Sequence, residues 1–116
     1  MLILYVITVS WRGAGPYDEP ESLAKAAIAD RSLEREAREA HLERHENRRI
    51  GGEEAVLFEL SLLSGSRRVV YSQAILMREE KVYTITLYYP ADEKLRHEQA
   101  EAILNGFRFV GIPQGE

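Results

Sequence analysis

The sequence predicts an α+β fold in which an antiparallel β-sheet packs with two α-helices. Three observations carry this prediction. Residues 49–89 contain three runs of mostly apolar and β-branched residues separated by short polar breaks, which is the pattern of a three-strand meander. The first eleven residues are rich in β-branched and aromatic side chains. One segment before the meander and one after it carry apolar residues at helical spacing.

Length and composition limit the class of protein. A chain of 116 residues, 45% of them apolar, fits a single domain spanning 1–116, with 110–116 as a tail. The net charge is −4 and the two signs are interspersed, so no basic stripe is available to bind nucleic acid. There is no cysteine, which excludes disulfides and thiol chemistry and is consistent with a cytoplasmic protein.

The N-terminal run is predicted to form a strand from Leu2 to Trp11. Its first half is apolar on both faces, so we expect it to be buried on both sides. It lacks a basic leader and a small-residue cleavage site and is too short to cross a bilayer as a helix. We therefore expect neither a signal peptide nor membrane insertion. A buried first strand suggests either a missing upstream strand or a sheet edge that another chain covers.

The first helix is predicted to begin at Asp18–Glu21, where acidic residues and Pro20 mark a helix start. Its apolar stripe is Leu23, Ala26, Ala27, Leu33, Ala37 and Ala40. Helix propensity alone continues through Arg48, but residues 41–50 have few apolar anchors, and they fit a frayed helix end and an extended edge segment equally well. The pair Gly51-Gly52 then permits a sharp turn into the next strand.

The meander is predicted to contain strands at Glu54–Leu63, Arg67–Arg78 and Lys81–Tyr89. A three-residue loop at 64–66 and a two-residue loop at 79–80 place Leu63 opposite Arg67 and Arg78 opposite Lys81.

Because side chains alternate along a strand, this register sorts the meander into two faces. The core face is almost wholly apolar and consists of Val56, Phe58, Leu60, Val70, Ser72, Ala74, Leu76, Tyr83, Ile85, Leu87 and Tyr89. The other face is mixed, too apolar to be left in water and too polar to be a full core. Its members with the strongest claim to bind a partner are Leu57, Glu59, Tyr71, Gln73, Ile75, Met77, Thr84, Thr86 and Tyr88.

The second helix follows Pro90, with Asp92 as its cap and Asn105-Gly106 as its end. Its apolar stripe is Leu95, Ala102, Ile103 and Phe107. The segment 107–110 is expected to be extended and to dock on the core.

These residues resemble a known family. The resemblance is carried by Ile50-Gly51-Gly52-Glu53-Glu54-Ala55, by the paired tyrosines Tyr88-Tyr89 before Pro90, and by the helix end from Ala102 to Phe109. It extends from about Leu2 to Phe109 and is to the PsbP-like superfamily, which includes DcrB-type bacterial proteins and the Eag-type chaperones of type VI secretion. The family usually opens with an additional hairpin containing a Pro-x-x-Trp turn, which is absent here. The resemblance implies an antiparallel sheet flanked by helices and non-enzymatic binding roles, with no catalytic residues.

Candidate catalytic and metal-binding residues are few. His41 and His45 would share one side of a helix, but no third ligand is specified, and His97 falls on the polar side of the second helix. Glu59 is an acidic residue inside a strand, and it is more typical of a charge that prevents wrong pairing than of a catalytic acid. The sequence therefore predicts no enzyme activity, no cofactor and no metal.

Three functions remain open. The first is a non-enzymatic protein-binding, accessory or chaperone-like module that uses the mixed face. The second is a homodimer in which a second copy closes that face or a sheet edge. The third is a small-ligand protein with a pocket between sheet and helix.

Overall fold

The structure, a computed structural model, describes residues 6–33, 38–64, 66–92 and 94–109. In chain order its elements are β1 (Val6–Gly13), α1 (Pro20–Leu33), β2 (Arg38–Ile50), β3 (Glu53–Ser64), β4 (Arg67–Arg78), β5 (Lys81–Pro90) and α2 (Lys94–Gly106). The strands form one antiparallel sheet in the order β1-β5-β4-β3-β2, so β1 and β2 are its edges. One helix packs on each face. The predicted α+β class is confirmed, with one strand more than the sequence indicated.

The additional strand is β2, the segment for which helix and extended structure were both open. It pairs with β3 along its length and has irregularities between Arg38 and His41 and between Leu42 and Arg44. Helix propensities differ by less than about 1 kcal/mol per residue, whereas β3 has a row of backbone groups that need partners. Ala40, predicted for the helix stripe, consequently lies in the strand, and Ala37 lies outside the described residues.

Two turns have backbone conformations in the left-handed region. Gly51 (φ 62°) and Gly52 (φ 87°) join β2 to β3, as the glycine pair predicted. Glu79 (φ 51°) and Glu80 (φ 62°) join β4 to β5 in the predicted two-residue loop, although this conformation favours glycine and costs other residues about 1–2 kcal/mol each. A Cβ on Gly51 would lie 3.1 Å from the Phe107 ring, so the C-terminal segment also requires glycine there.

The predicted register between β3 and β4 is wrong by one residue. Ser64 pairs with Arg67, so the loop has two residues rather than three. A one-residue slip moves every side chain of a strand to the other face. Leu57 therefore shares a face with Ala74, and Phe58 shares one with Gln73. The predicted register between β4 and β5 is confirmed, with Arg78 opposite Lys81 and Ala74 opposite Ile85.

Each face of the sheet has its own core, so neither face is bare. On the first face α1 packs Ala24, Leu23, Ala27 and Ile28 against strand residues that include Phe58. On the second face α2 packs Ala100 and Leu104 against residues that include Leu57, Ala74 and Tyr89. The stripes were predicted in part wrongly, because Ala26 and Ala102 are exposed. Phe107 and Phe109 dock on the second core as expected, and Val110 lies outside the described residues.

The N-terminal strand is an edge rather than a buried strand. β1 pairs with β5, and Thr8, Val9, Ser10, Trp11 and Arg12 are all exposed. The expectation of burial on both sides is therefore wrong for residues 8–12 of the single chain, whereas the alternative expectation of a sheet edge agrees with the position of β1. Residues 2–5 and the side chains of residues 6 and 7 lie outside the described part. Neither described helix is long and apolar enough to cross a membrane.

Candidate protein-binding face

The first face of the sheet is covered by α1 over only part of its width. The helix packs against β3 and β4, while the part formed by β1 and β5 and the adjoining residues of β4 stays accessible. We call this surface the open face. Its residues are Thr8, Ser10, Tyr71, Gln73, Thr84, Thr86 and Tyr88.

Strand pairing arranges the open face in rows. Thr8 lies opposite Thr86, which lies opposite Gln73 on the next strand. Tyr88 lies opposite Tyr71 in a neighbouring row. Cross-strand neighbours of this kind have Cβ atoms about 5 Å apart, so the side chains of each row are in contact.

Hydrogen bonds hold the centre of the open face. The Gln73 amide nitrogen donates to the Tyr71 hydroxyl at 2.8 Å and to Thr86 Oγ1 at 3.3 Å. The Tyr71 ring lies with its centroid 6.4 Å from that of the buried Phe58, so its inner side belongs to the core. The open face is therefore preorganised, and a partner would meet side chains whose rotamers are already restricted.

The chemistry of the open face suits recognition more than catalysis. None of its side chains is charged at neutral pH, and each has a hydroxyl or amide group. Tyrosine combines a large apolar ring with a hydrogen-bonding group at low entropic cost, and it is enriched at protein interfaces.

The predicted partner-binding residues divide into three groups. Tyr71, Gln73, Thr84, Thr86 and Tyr88 lie together on the open face. Ile75 is buried and Met77 packs under α1 in the same core, on the same side of the sheet.

Leu57 and Glu59 point to the opposite face, which corrects their predicted grouping; the physical reason is the slip in the β3–β4 register. Thr8 and Ser10 were not predicted for this surface because β1 was expected to be buried. The alternation of Thr8, Ser10 and Arg12 along that strand was the available signal.

Glu59 belongs to a cluster of charges beneath α2, which we call the ionic cluster: Arg44, Glu46, Arg48, Glu59 and Glu101. An Arg44 guanidinium nitrogen lies 3.6 Å from Glu59, and the same side chain also pairs with Glu46 and Glu101. Arg48 donates to Glu101 at 3.0 Å and to the Asn105 side chain at 2.8 Å.

The pKa values of Glu59 and Glu101 are shifted in opposite directions. Burial raises the pKa of Glu59, and the attraction of Arg44 only partly opposes this effect. Burial also acts to raise the pKa of Glu101, but hydrogen bonds from Arg48 and Arg44 outweigh it and lower that pKa below its usual value. These groups join β2, β3 and α2, so they hold the helix on the sheet.

The histidine pair does not form a metal site. His41 lies opposite Ser61 and His45 lies opposite Phe58, so the two side chains point to opposite faces of a strand. His45 Nε2 lies 3.0 Å from a Glu21 carboxylate oxygen, and His97 Nδ1 lies 3.0 Å from the Tyr89 hydroxyl. Within the described ranges no cluster of three or more histidine and acidic side chains could hold a metal ion.

A cleft of about 510 Å³ lies between the first turn of α1 and strands β2 and β3. Glu21, Asn47, Arg49, Glu54 and Val56 are among its lining residues. It is on the α1 side of the sheet, whereas Glu59 faces α2. The cleft does lie between a helix and the sheet, which is the position that the small-ligand alternative requires.

Comparison with known proteins places the fold. No family model matches the chain, and no curated protein sequence matches it. PA94, a Pseudomonas aeruginosa protein of unknown function that has been suggested to be a regulator, is similar over 98% of this chain and 87% of its own, with 19% identity and a TM-score of 0.62.

Cyanobacterial PsbP (CyanoP) from Synechocystis sp. PCC 6803 is similar over 84% of this chain, with 16% identity and a TM-score of 0.56. The match spans 62% of the length of CyanoP. Similarity at this level of identity concerns the fold, and it agrees with the sheet and helices described above. The chain therefore has an α+β fold of the PsbP-like type.

Proposed function

We propose that the chain is a non-enzymatic accessory module that binds another protein through the open face. The observation that supports this most directly is the Tyr71–Gln73–Thr86 arrangement, in which uncharged hydrogen-bonding side chains are held in place on an accessible strand surface. These side chains carry no charge that would have to be desolvated, and their hydroxyl and amide groups can pair with backbone or side-chain groups of a partner.

The partner that best fits this surface is a folded or extended polypeptide of low charge. Arg12 borders this surface on β1, but its guanidinium pairs with Asp18 at 2.8 Å, and the seven residues of the open face carry no charge to recognise a strongly charged ligand. Its rows of threonine, serine and glutamine supply donors and acceptors, while Tyr71 and Tyr88 supply apolar area. In the chaperone-like form of this proposal, the module holds its partner and leaves its covalent structure unchanged.

The similar structures support the non-enzymatic part of the proposal. Neither PA94 nor CyanoP is named for an enzymatic activity. Glu59, whose pKa is raised by burial, lies beside Arg44 in the ionic cluster on the other side of the sheet.

The test is partner capture followed by reconstitution. Thr86→Arg places a long charged side chain at the centre of the open face, whereas Ala26→Arg places the same side chain on the exposed side of α1. A protein captured by the wild-type chain would be purified and titrated against all three chains by calorimetry, with circular dichroism to verify that each variant is folded.

We expect Thr86→Arg to weaken binding by about tenfold or more, because a central desolvated contact is worth about 1.4 kcal/mol or more. Ala26→Arg should bind like the wild type. Equal binding by Thr86→Arg would exclude the open face, and the absence of any captured protein that binds again when purified would contradict the proposal as a whole.

A further inference from the structure

The two edges of the sheet have opposite characters. β2 is rich in charged residues along its length and its pairing is interrupted twice, and both features hinder pairing with another strand. β1 reads VITVSWRG, with one charge, and its register with β5 is continuous from Val6 to Gly13. β1 is therefore a regular edge without the features that protect β2.

β1 also exposes large apolar side chains. Val9 is 54% exposed and Trp11 is 62% exposed. They lie opposite Ile85 and Tyr83, so both point to the α2 side of the sheet, away from the open face. The Lys81 ammonium lies 4.9 Å from the centre of the Trp11 ring and covers it only in part. Four large apolar side chains are exposed in the described part of the chain, and these two alternate on one edge strand.

We infer that β1 is a dimerisation edge, which pairs antiparallel with β1 of a second copy of this chain. A two-fold axis at Val9 would join the two sheets into one continuous sheet of ten strands. The pairing is isologous: one operation satisfies the outward backbone groups of both copies and removes the unprotected edge from each.

The sequence of β1 is complementary to itself in this register. Val9 would lie opposite Val9 of the second copy, Trp11 opposite Ile7, and Ser10 opposite Thr8. Arg12 would lie opposite Val6, so no like charges face each other. The two Val9 side chains would meet on the α2 side, and Ser10 of each copy would meet Thr8 of the other copy on the open-face side.

A second copy fits this edge better through β1 than through β2. Pairing of β1 with β2 of a neighbour would be heterologous, so it would leave a free edge on each copy of a pair, and it would set apolar side chains beside the charged and irregular β2 edge. The symmetric pairing closes after two copies. It would also bring the two open faces side by side, with Thr8 and Ser10 of both copies at the centre.

The test measures the oligomeric state of the full chain. Light scattering coupled to size-exclusion chromatography, over a hundredfold dilution, should give a mass twice the 13.3 kDa of the single chain. Val9→Lys places two ammonium groups opposite each other and should raise the dimer dissociation constant by about tenfold or more. Tyr17→Lys, at a position that is 91% exposed outside the strands, should leave the dimer intact.

A second measurement tests the register and does not depend on Val9→Lys folding normally. The chain has no cysteine, so Val9→Cys introduces a single thiol. At a two-fold axis the two Cβ atoms would be about 5 Å apart, near the range in which a disulfide can form. Mild oxidation should therefore cross-link Val9→Cys rapidly into a covalent dimer, while Tyr17→Cys should cross-link slowly.

Each result has a definite meaning. A wild-type chain that is monomeric at all concentrations overturns the inference, as does a dimer that survives Val9→Lys and fails to cross-link through Val9→Cys. A β1 edge that takes up a different protein in place of a second copy also overturns it. Because Val9 and Thr86 lie on opposite sides of the sheet, loss of the dimer and loss of partner binding through the open face are measured separately.

Discussion

The two helices are held on the same sheet by different forces. Under α1 the contacts are mainly apolar, with Ala24 fully buried. Under α2, among the residues whose side chains the structure describes, Ala100 and Leu104 are buried and Ile103 is partly buried. A set of hydrogen bonds and ion pairs centred on Glu101 adds to this contact. The difference arises from β2, whose alternation directs Arg44 and Arg48 towards α2.

The contacts of α1 and of α2 should respond differently to pH and to salt. Burial of apolar surface is insensitive to pH and is strengthened by many salts, whereas partly exposed ion pairs weaken with salt and with protonation of their carboxylates. The α1 side should therefore keep its stability across mild pH changes, and the α2 side should lose part of it.

The largest expected effect is on the apolar side. Ala24→Leu adds three carbons at a position with no exposed surface, and we expect a loss of about 2–3 kcal/mol in the free energy of unfolding. Ala26→Leu adds the same atoms on the exposed side of α1 and should change it by less than about 0.5 kcal/mol. Urea unfolding measures both. A small effect of Ala24→Leu would show that α1 can shift on the sheet.

The next effect is on the ionic side and depends on pH. The folded chain lowers the pKa of Glu101, so this carboxylate contributes stability that is present above its unfolded pKa and is lost as the pH falls through the folded value. Glu101→Gln should therefore destabilise the chain by about 1 kcal/mol at pH 7, and the difference from the wild type should vanish at low pH.

Glu59→Gln is the matched variant, and its expected effect on stability at pH 7 is opposite in direction to that of Glu101→Gln. The folded chain raises the pKa of Glu59, so its ionised form costs stability above that pKa and the cost disappears as the pH falls. Glu59→Gln should be neutral or stabilising by up to about 1 kcal/mol at pH 7 and indistinguishable from wild type at low pH. Urea unfolding between about pH 2 and pH 7, with each variant compared with the wild type, measures both. A strong loss for Glu59→Gln at pH 7 would mean that the Arg44 pair outweighs burial.

The smallest expected effect concerns two serine hydroxyls on the α2 side, one without a described hydrogen-bond partner and one with a partner. The Ser72 hydroxyl is buried, and it has no hydrogen-bond partner within the described residues, whereas Arg68 donates to the Ser61 hydroxyl at 3.1 Å. Ser72→Ala should stabilise the chain by about 0.5 kcal/mol, and Ser61→Ala should destabilise it by about 1 kcal/mol. Thermal unfolding would detect both changes, and destabilisation by Ser72→Ala would contradict this account.

Much of the fold could be predicted from local pattern. The meander, the glycine turn and both helix positions follow from periodicity and from residues such as Pro20, Gly51 and Gly106. β2 could be predicted only as one of two alternatives, because its composition favours a helix and its strand conformation depends on pairing with β3. Long-range pairing of this kind leaves no local signal.

The prediction of the candidate site depended on the lengths of two loops. Tyr71, Gln73 and Thr86 were grouped correctly because the two-residue β4–β5 loop was identified. Leu57 and Glu59 were grouped wrongly because the β3–β4 loop is one residue shorter than predicted. Because side chains alternate along a strand, an error of one residue in a loop length assigns every residue of the next strand to the wrong face. The site could therefore be predicted only where the loop length was predicted correctly.

The Gly51 turn also bears on the order in which the chain folds. The two aromatic rings that approach it, Phe107 and Phe109, come from the last part of the chain, whereas the hairpin that contains the turn is local. Local hairpins form within microseconds, before contacts between distant residues. During synthesis the β2–β3 turn is therefore formed before Phe107 and Phe109 are synthesised, and the C-terminal segment docks on a turn that is already in place.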